Sequence, residues 1–290
     1  MIYEFVRART DYSVAKWLDF LQGSRSGYYE HLKHREEREK QRNALKIEVK
    51  RIFDESRGTY GPDRVCGELR KLGKSASYDR IAGLMKEMRL SSIHNRRRSR
   101  SLTDSRKARN NDELYPNLVR GPTPSMPYRV LCGDITYLPT PEGWLYLCTV
   151  KDIVTGRILG HSMSDRMTDD LAVSAFLNAA SRHFLSKDAI FHSDRGSQYT
   201  SKNFRGILEL HGVRQSFSRV GKPADNAWAE SFFATLKKEC IHLRQIPTKE
   251  AMSQVIFEWI EVFYNNKRIQ KRLGYLSPRE FADTLTRAAA

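Results

Sequence analysis

The sequence reads as a mixed α/β core behind an all-α N-terminal region, and three observations predict this. Up to residue 92 the apolar residues recur at helical spacing, punctuated by glycine turns. From Tyr128 they fall into short β-type runs, which first follow one another directly and then alternate with helical stretches. Between the two lies a basic, proline-bearing stretch with no apolar period.

In the N-terminal region Val14, Trp17, Leu18 and Leu21 follow i, i+3, i+4, i+7 spacing. Gly23 and the serine-rich SRSG then predict a turn and a second helix from about Ser24, giving a first helix-turn-helix candidate at 12–34. Residues 36–56 form a highly charged helical stretch with Leu45, Val49, Ile52 and Phe53 on one face. The second helix-turn-helix candidate spans 60–90. Val65, Leu69 and Leu72 line its first helix, Gly73 breaks it, and Ile81, Leu84, Met85 and Met88 line the next. Such a pair can place one helix in a DNA major groove, and it is equally ordinary in small helical bundles.

Residues 93–127 read as a basic linker. HNRRRSRSLTDSRKARN carries seven Lys/Arg against one Asp, and Pro116, Pro122, Pro124 and Pro127 follow. Such a stretch cannot pack a core; it is either a plain tether or a segment that tracks a phosphate backbone, with Arg96, Arg97 and Arg98 as candidate contacts.

The core is predicted over 128–245. Strands are expected at Arg129–Leu138, Trp144–Ile153, Arg157–Met163, Ala189–His192 and Val213–Phe217. The first three are joined by turn signals (PTPEG, VTG) that suit an antiparallel meander. Helices are expected at about Asp169–His183, Ser201–His211, Asp225–Cys240 and Lys249–Tyr264. A C-terminal helical extension, 246–290, ends in the capping box Ser277-Pro278-Arg279-Glu280. Trp144 and Trp259 are expected in the core.

Composition narrows the class. Fifty Lys+Arg against 34 Asp+Glu give a net charge of +16. The excess is concentrated in residues 1–128, with 28 basic and 17 acidic residues. An excess of this size attracts polyanions, nucleic acid first among them, although a solvated basic face would have the same composition. Cys66, Cys132, Cys148 and Cys240 stand apart with no CxxC pair, and the eight histidines show no HxxxH spacing. Neither a zinc site nor a disulfide framework is expected. No apolar run approaches the roughly 20 residues of a membrane helix, and MIYEFVRARTDY has no signal-peptide core. The expected location is the cytoplasm, at the nucleoid.

The candidate chemistry rests on three acids. Asp134 interrupts the otherwise apolar strand VLCGDITYL, where a charge is costly without a partner. Asp194 follows the strand AIFHS at its C-terminal end, where ligand sites gather in open α/β sheets. Glu230 lies on the helix DNAWAESFFATLKKEC, sharing a face with Asn226 and Lys237, while Trp228, Phe232 and Leu236 can face the sheet. Taken singly, each acid has a better structural explanation: a turn cap, an Asp-x-Gly turn, a surface charge. The 35 residues between Asp194 and Glu230, with Lys237 seven later, join them. Three carboxylates suit Mg²⁺, a hard cation that keeps several waters, and two such ions about 3.5–4 Å apart serve phosphodiester cleavage and transfer.

The segments SRSGYY (24–29), RGTYGPDRVCGELRK (57–71), RIAGLMKEMRL (80–90), GDITYLPT (133–140) and HSDRGSQYTS (192–201) carry a resemblance, joined by GKPADNAWAESFFATLKKE (221–239) and YNNKRIQKRLGYLSPREF (264–281). With these the chain resembles bacterial insertion-sequence transposases of the family of insertion sequence 3, in their second-reading-frame (OrfB) product, and more distantly retroviral integrases. The resemblance implies a ribonuclease-H-like catalytic core with a metal-binding Asp-Asp-Glu triad at Asp134, Asp194 and Glu230. It also implies a basic companion at Lys237, an N-terminal DNA-binding region and Mg²⁺, or Mn²⁺ in its place, as cofactor. The expected partners are the element's terminal inverted repeats, target DNA and a second copy or larger assembly on DNA. The family's upstream-frame product, with its helix-turn-helix and leucine zipper, is expected as a partner or fusion unless the chain acts as it stands. Leu131 stands where the family usually has tryptophan, and Gln270 where it commonly has histidine, so Gln270 is given no role.

Other residues carry paired readings. His192 is a neighbour supporting Asp194 or a satisfied strand-end histidine. Asn226 orients Glu230, holds a metal-bound water or caps the helix. Lys237 and Arg195 are candidate DNA contacts. Arg268, in the basic run Lys267, Arg268, Lys271, Arg272, either contacts DNA or ends a solvated helix. The activity expected is metal-dependent strand cleavage and transfer; a non-catalytic DNA-binding regulator and a nuclease that never joins are the other two readings.

Overall fold

The computed structural model describes residues 2–95, 115–119, 125–219 and 223–289. The chain divides into two compact units, residues 1–91 and 92–290. Arg96, Arg97 and Arg98 lie outside the described residues.

The first unit is all helical: α1 (Ile2–Arg7), α2 (Val14–Phe20), α3 (Arg25–Glu55), α4 (Pro62–Lys71) and α5 (Tyr78–Glu87). Ser13, Ser24 and Ser77 cap α2, α3 and α5, each accepting the backbone N–H three residues on. Pro62 occupies the first turn of α4, and Gly73, at φ +72°, lets the chain leave its end. The structure fuses the turn-bounded second helix and the charged stretch into a single 31-residue α3. Much of its surface is polar, and ion pairs one turn apart, Arg35–Glu39 and Arg51–Glu55 among them, support its exposed faces. In the 60–90 candidate, Val65, Leu69, Ile81, Leu84 and Met85 are buried as predicted, whereas Leu72 is half exposed at the helix end.

The second unit is built on a five-stranded sheet of order β3-β2-β1-β4-β5. The strands are β1 (Val130–Thr140), β2 (Gly143–Asp152), β3 (Ile158–Ser164), β4 (Ile190–Ser193) and β5 (Arg214–Phe217). The first three form the antiparallel meander, and β4 and β5 join in parallel beside β1. Period-2 alternation sorts β1 between two layers. Leu131 faces a core shared with α6 (Asp169–Arg182) and α8 (Lys202–Leu210), built around Phe176, Phe191 and Phe204. Val130, Cys132 and Leu138 face the other way, toward α9 (Ala227–Leu236) and the C-terminal helices.

The short α7 (Ser197–Thr200) follows β4, and α10 (Lys249–Glu258) and α11 (Pro278–Ala289) complete the chain. The segment after 246 shares the sheet's core. Met252, Ile256, Trp259 and Phe263 pack with Leu147, Ile158 and Phe232. Asn265 bonds both backbone groups of Ile158, at 3.0 and 2.9 Å. The predicted helices at 225–240 and 249–264 are not uniform. A 3₁₀ turn (Pro223–Asn226) leads into α9, and π-helical turns (Lys237–Ile241 and Trp259–Tyr264) follow α9 and α10. The capping box forms as predicted: Ser277 N–H donates to Glu280 at 2.8 Å, and Glu280 N–H donates to Ser277 Oγ at 3.3 Å. Trp259 is buried, but Trp144 is 49% exposed, set edge-on against Tyr137 where the β1–β2 ribbon carries exposed aromatics.

Candidate active site

β1 is antiparallel to β2 on one side and parallel to β4 on the other, and the site lies where β4 ends. Cys132 pairs with His192 across the parallel ladder, so two residues further on Asp134 and Asp194 occupy corresponding positions on neighbouring chains. Alternation puts both on the sheet face that α9 covers, with Val130, Cys132 and Ile190. Gly133 leaves the opposite face free for the Phe191 ring, which a Cβ there would meet at 2.2 Å.

Asp134 is half-buried and accepts the N–H of Ile135 at 2.8 Å. Burial first and the charge of Asp194 next, with Glu230 adding to them, push its carboxyl up to about 7; the Ile135 N–H and Lys237 pull the other way. Asp194 opens to solvent on one side and accepts the N–H of Gly196 at 3.0 Å. Burial of its inner face raises its carboxyl, and the Gly196 N–H opposes the rise. Glu230 projects from the first turn of α9 and is exposed. Lys237 follows at the end of α9, its ammonium over the Tyr137 ring at 5.4 Å; burial lowers it while the charge of Asp134 raises it. The three acids and Lys237 thus act on one another electrostatically. No group of three His, Cys, Asp or Glu side chains among the described residues is close enough to enclose an ion. The donors are nonetheless of the kind a hard cation takes: carboxylate oxygens, few enough for Mg²⁺ to keep its waters.

The neighbours divide. His192 is buried, Nδ1 bonded to Ser216 Oγ at 2.9 Å and Nε2 to Ser218 Oγ at 3.1 Å, its edge against Trp228. Burial lowers its pKa, so it is a satisfied, neutral strand-end histidine. Asn226 stands at the N-cap position of α9 without a capping bond; it is buried, and its Oδ1 has no hydrogen-bond partner among the described residues. Arg195 donates to the Ser218 carbonyl at 3.2 Å and covers Tyr115.

Arg268 corrects its prediction. It is 5% exposed and faces inward, Nε and Nη2 donating to Glu239 at 2.7 and 2.6 Å, because the buried Glu239 carboxylate supplies the partner that its charge needs inside the fold. Glu239 and Lys151 were missed by sequence reasoning. Glu239 continues the buried stripe of Phe232 and Leu236 at helical spacing, and a carboxylate on such a stripe signals a buried partner. Lys151 is buried on β2, donating to the Trp228 carbonyl in the first turn of α9 at 2.7 Å.

Family models match along the chain: an HTH-like domain at residues 40–98 and an integrase core domain at 124–223, with a second integrase core domain model at 211–278. The transposase InsF for insertion sequence IS3A of Escherichia coli is 34% identical over 97% of this chain and 98% of its own. The chain belongs to the transposase family of insertion sequence 3. The family's transposase for insertion sequence element IS904 of Lactococcus lactis is 36% identical, over 83% of this chain and 94% of that one. An uncharacterized 31 kDa protein of insertion element IS600 from Shigella sonnei is 39% identical over 92% and 97%. A solved HTLV-2 integrase catalytic core domain in complex with magnesium covers 54% of this chain at 16% identity, with a TM-score of 0.43, too distant to carry a role across. The α/β unit is the ribonuclease-H-like integrase core of this family, and the HTH-like match contains the α4–α5 pair. No helix among the described residues is long and apolar enough to cross a membrane.

Proposed function

We propose that this transposase cleaves and joins DNA strands at the terminal inverted repeats of its element, with Asp134, Asp194 and Glu230 as the metal-binding catalytic triad. The observation that carries the reading is the register that brings Asp134 and Asp194 side by side on parallel strands, under the helix bearing Glu230 and Lys237. Magnesium ions, or manganese in their place, two to a site, would neutralise the non-bridging oxygens and stabilise the attacking and leaving oxygens. The rest is positioning. Asp134 is fixed by the central strand and by the Ile135 N–H, and Asp194 by its turn bond to Gly196. Lys237, held over Tyr137 beside Asp134, supplies a cation for a phosphate. The buried, unpartnered Oδ1 of Asn226, one turn before Glu230, is an acceptor that suits holding a metal-bound water beside that carboxylate.

DNA is the partner throughout. The α4–α5 pair serves as the groove-reading element, the basic segment with Arg96, Arg97 and Arg98 tracks phosphates, and Arg195 adds a contact near the site. Two element ends call for two sites, so a dimer or larger assembly forms on DNA, with the upstream-frame product as partner or fusion. The test is strand cleavage and joining on an element-end duplex with Mg²⁺. Asp134→Asn and Glu230→Gln are each expected to lose cleavage and joining together. Wild-type rates in either variant would refute the triad, and hydrolysis without joined product would make the protein a nuclease.

A further inference from the structure

Beyond the three acids, the second unit buries a further charged cluster at the far end of the helix that carries Glu230. Glu239 sits in the Lys237–Ile241 π turn with its side chain fully buried, and Arg268 reaches it from just beyond the other π turn. Arg268 donates through Nε to Oε2 at 2.7 Å and through Nη2 to Oε1 at 2.6 Å, a bidentate pair. His94 Nε2 meets the same Oε1 at 2.7 Å, and Lys238 Nζ donates to the His94 carbonyl at 3.2 Å. Burial alone would raise the Glu239 carboxyl, but Arg268 and then His94 hold it at about 2, so it is ionised.

Such a pair is a poor device for stability alone, since its desolvation cost rivals its attraction and apolar side chains of similar volume serve as well. What it does supply is a fixed geometry. The position it fixes is two residues after Lys237 and nine after Glu230. Lys151 does the same at the helix start, through the Trp228 carbonyl. α9, which leaves into a π turn, is therefore held by a buried cation at each end.

We propose that Glu239 is a positioning residue for strand cleavage and transfer. Clamped by Arg268, it fixes the turn that aims Lys237 and the register of the helix that presents Glu230. Through His94 the same carboxylate also holds the 3₁₀ turn Ile93–Asn95, which belongs to the same unit. The inference rests on the catalytic reading above for its consequence, but not for the clamp itself.

The test uses the full-length chain with Glu239→Leu and Arg268→Met combined, which removes the pair without stranding either charge. The double variant is expected to fold, with its melting temperature near wild type, and to bind element-end DNA unchanged without metal. Its Mg²⁺ requirement for half-maximal cleavage is expected to rise about tenfold or more, as for loss of a support behind a metal ligand. In metal-free protein the amides of residues 236–241 are expected to exchange about tenfold faster. Arg268→Lys, which keeps the charge but not the fork, should show both effects more weakly, and it serves if the double variant does not fold. A folded variant with wild-type exchange at 236–241 overturns the clamp; faster exchange with an unchanged Mg²⁺ requirement overturns the positioning role. Glu230→Gln runs alongside: activity in that variant sinks the triad, while the metal-free exchange still decides the clamp.

Discussion

Burial against the sheet and the charges of Asp194 and Glu230 raise the Asp134 carboxyl to about 7, so its ionisation costs the metal-free fold stability. The sign follows from the shift. A carboxyl raised above its unfolded value of 3.8 destabilises the fold progressively from about pH 4, and the penalty is complete only above about 7. Asp134→Asn is therefore expected to melt higher than wild type at pH 8 without metal, and to lose the rise in melting temperature that Mg²⁺ gives wild type. Calorimetry with and without Mg²⁺ checks both; a lower metal-free melting temperature contradicts the account. Glu239 has the opposite sign. Its carboxyl is held at about 2, so the Arg268 pair stabilises the fold above about 4.5, and that contribution disappears as pH falls toward 2. The loss should be absent when Glu239 and Arg268 are both replaced by apolar residues.

Two glycines govern how closely the elements approach. A Cβ on Gly160 of β3 would lie 2.4 Å from the Ala175 carbonyl oxygen and the Ala179 nitrogen of α6, backbone atoms that cannot rotate away. Gly160→Ala is expected to destabilise the core by about 1–3 kcal/mol, measured by denaturant unfolding. Gly133 is different, because its neighbour is the Phe191 ring on β4. There the strain falls on the strand that leads to Asp194, so Gly133→Ala should lower activity more than its effect on stability would suggest. The elements themselves were largely legible. All five strands and the helix after β3 lie within a residue or two of their predicted bounds, because their apolar periods are unambiguous. The continuous α3 was not, since its interior lacks a sustained apolar period and its ion pairs are a weak signal. The π turns were also missed; a single extra residue in a helix leaves almost no mark on the pattern.

At the scale of the molecule the net charge of +16 would, under the proposed function, set the salt dependence of DNA binding. If the basic segment and the helices contact even six phosphates, affinity should fall about a thousandfold between 50 and 200 mM salt. Replacing Arg96, Arg97 and Arg98 together by alanine is expected to flatten that salt dependence while leaving metal-dependent stabilisation of the core intact. An unchanged salt slope in a binding titration would remove those arginines from the interface.

The sequence by itself determined the two-part organisation and the α/β core, and it pointed to three acids as candidates. Periodicity reports which elements form, and a charge set in an apolar strand or at a strand end reports its own cost. Only the tertiary structure decided which charges meet. Parallel pairing of β1 with β4 set Asp134 beside Asp194, across 60 residues of chain. Long-range packing likewise turned Arg268 from a surface cation into the buried partner of Glu239, and left Trp144 outside the core. The reason is physical. Burial and partner choice depend on neighbours distant in the chain, and local spacing holds no record of them.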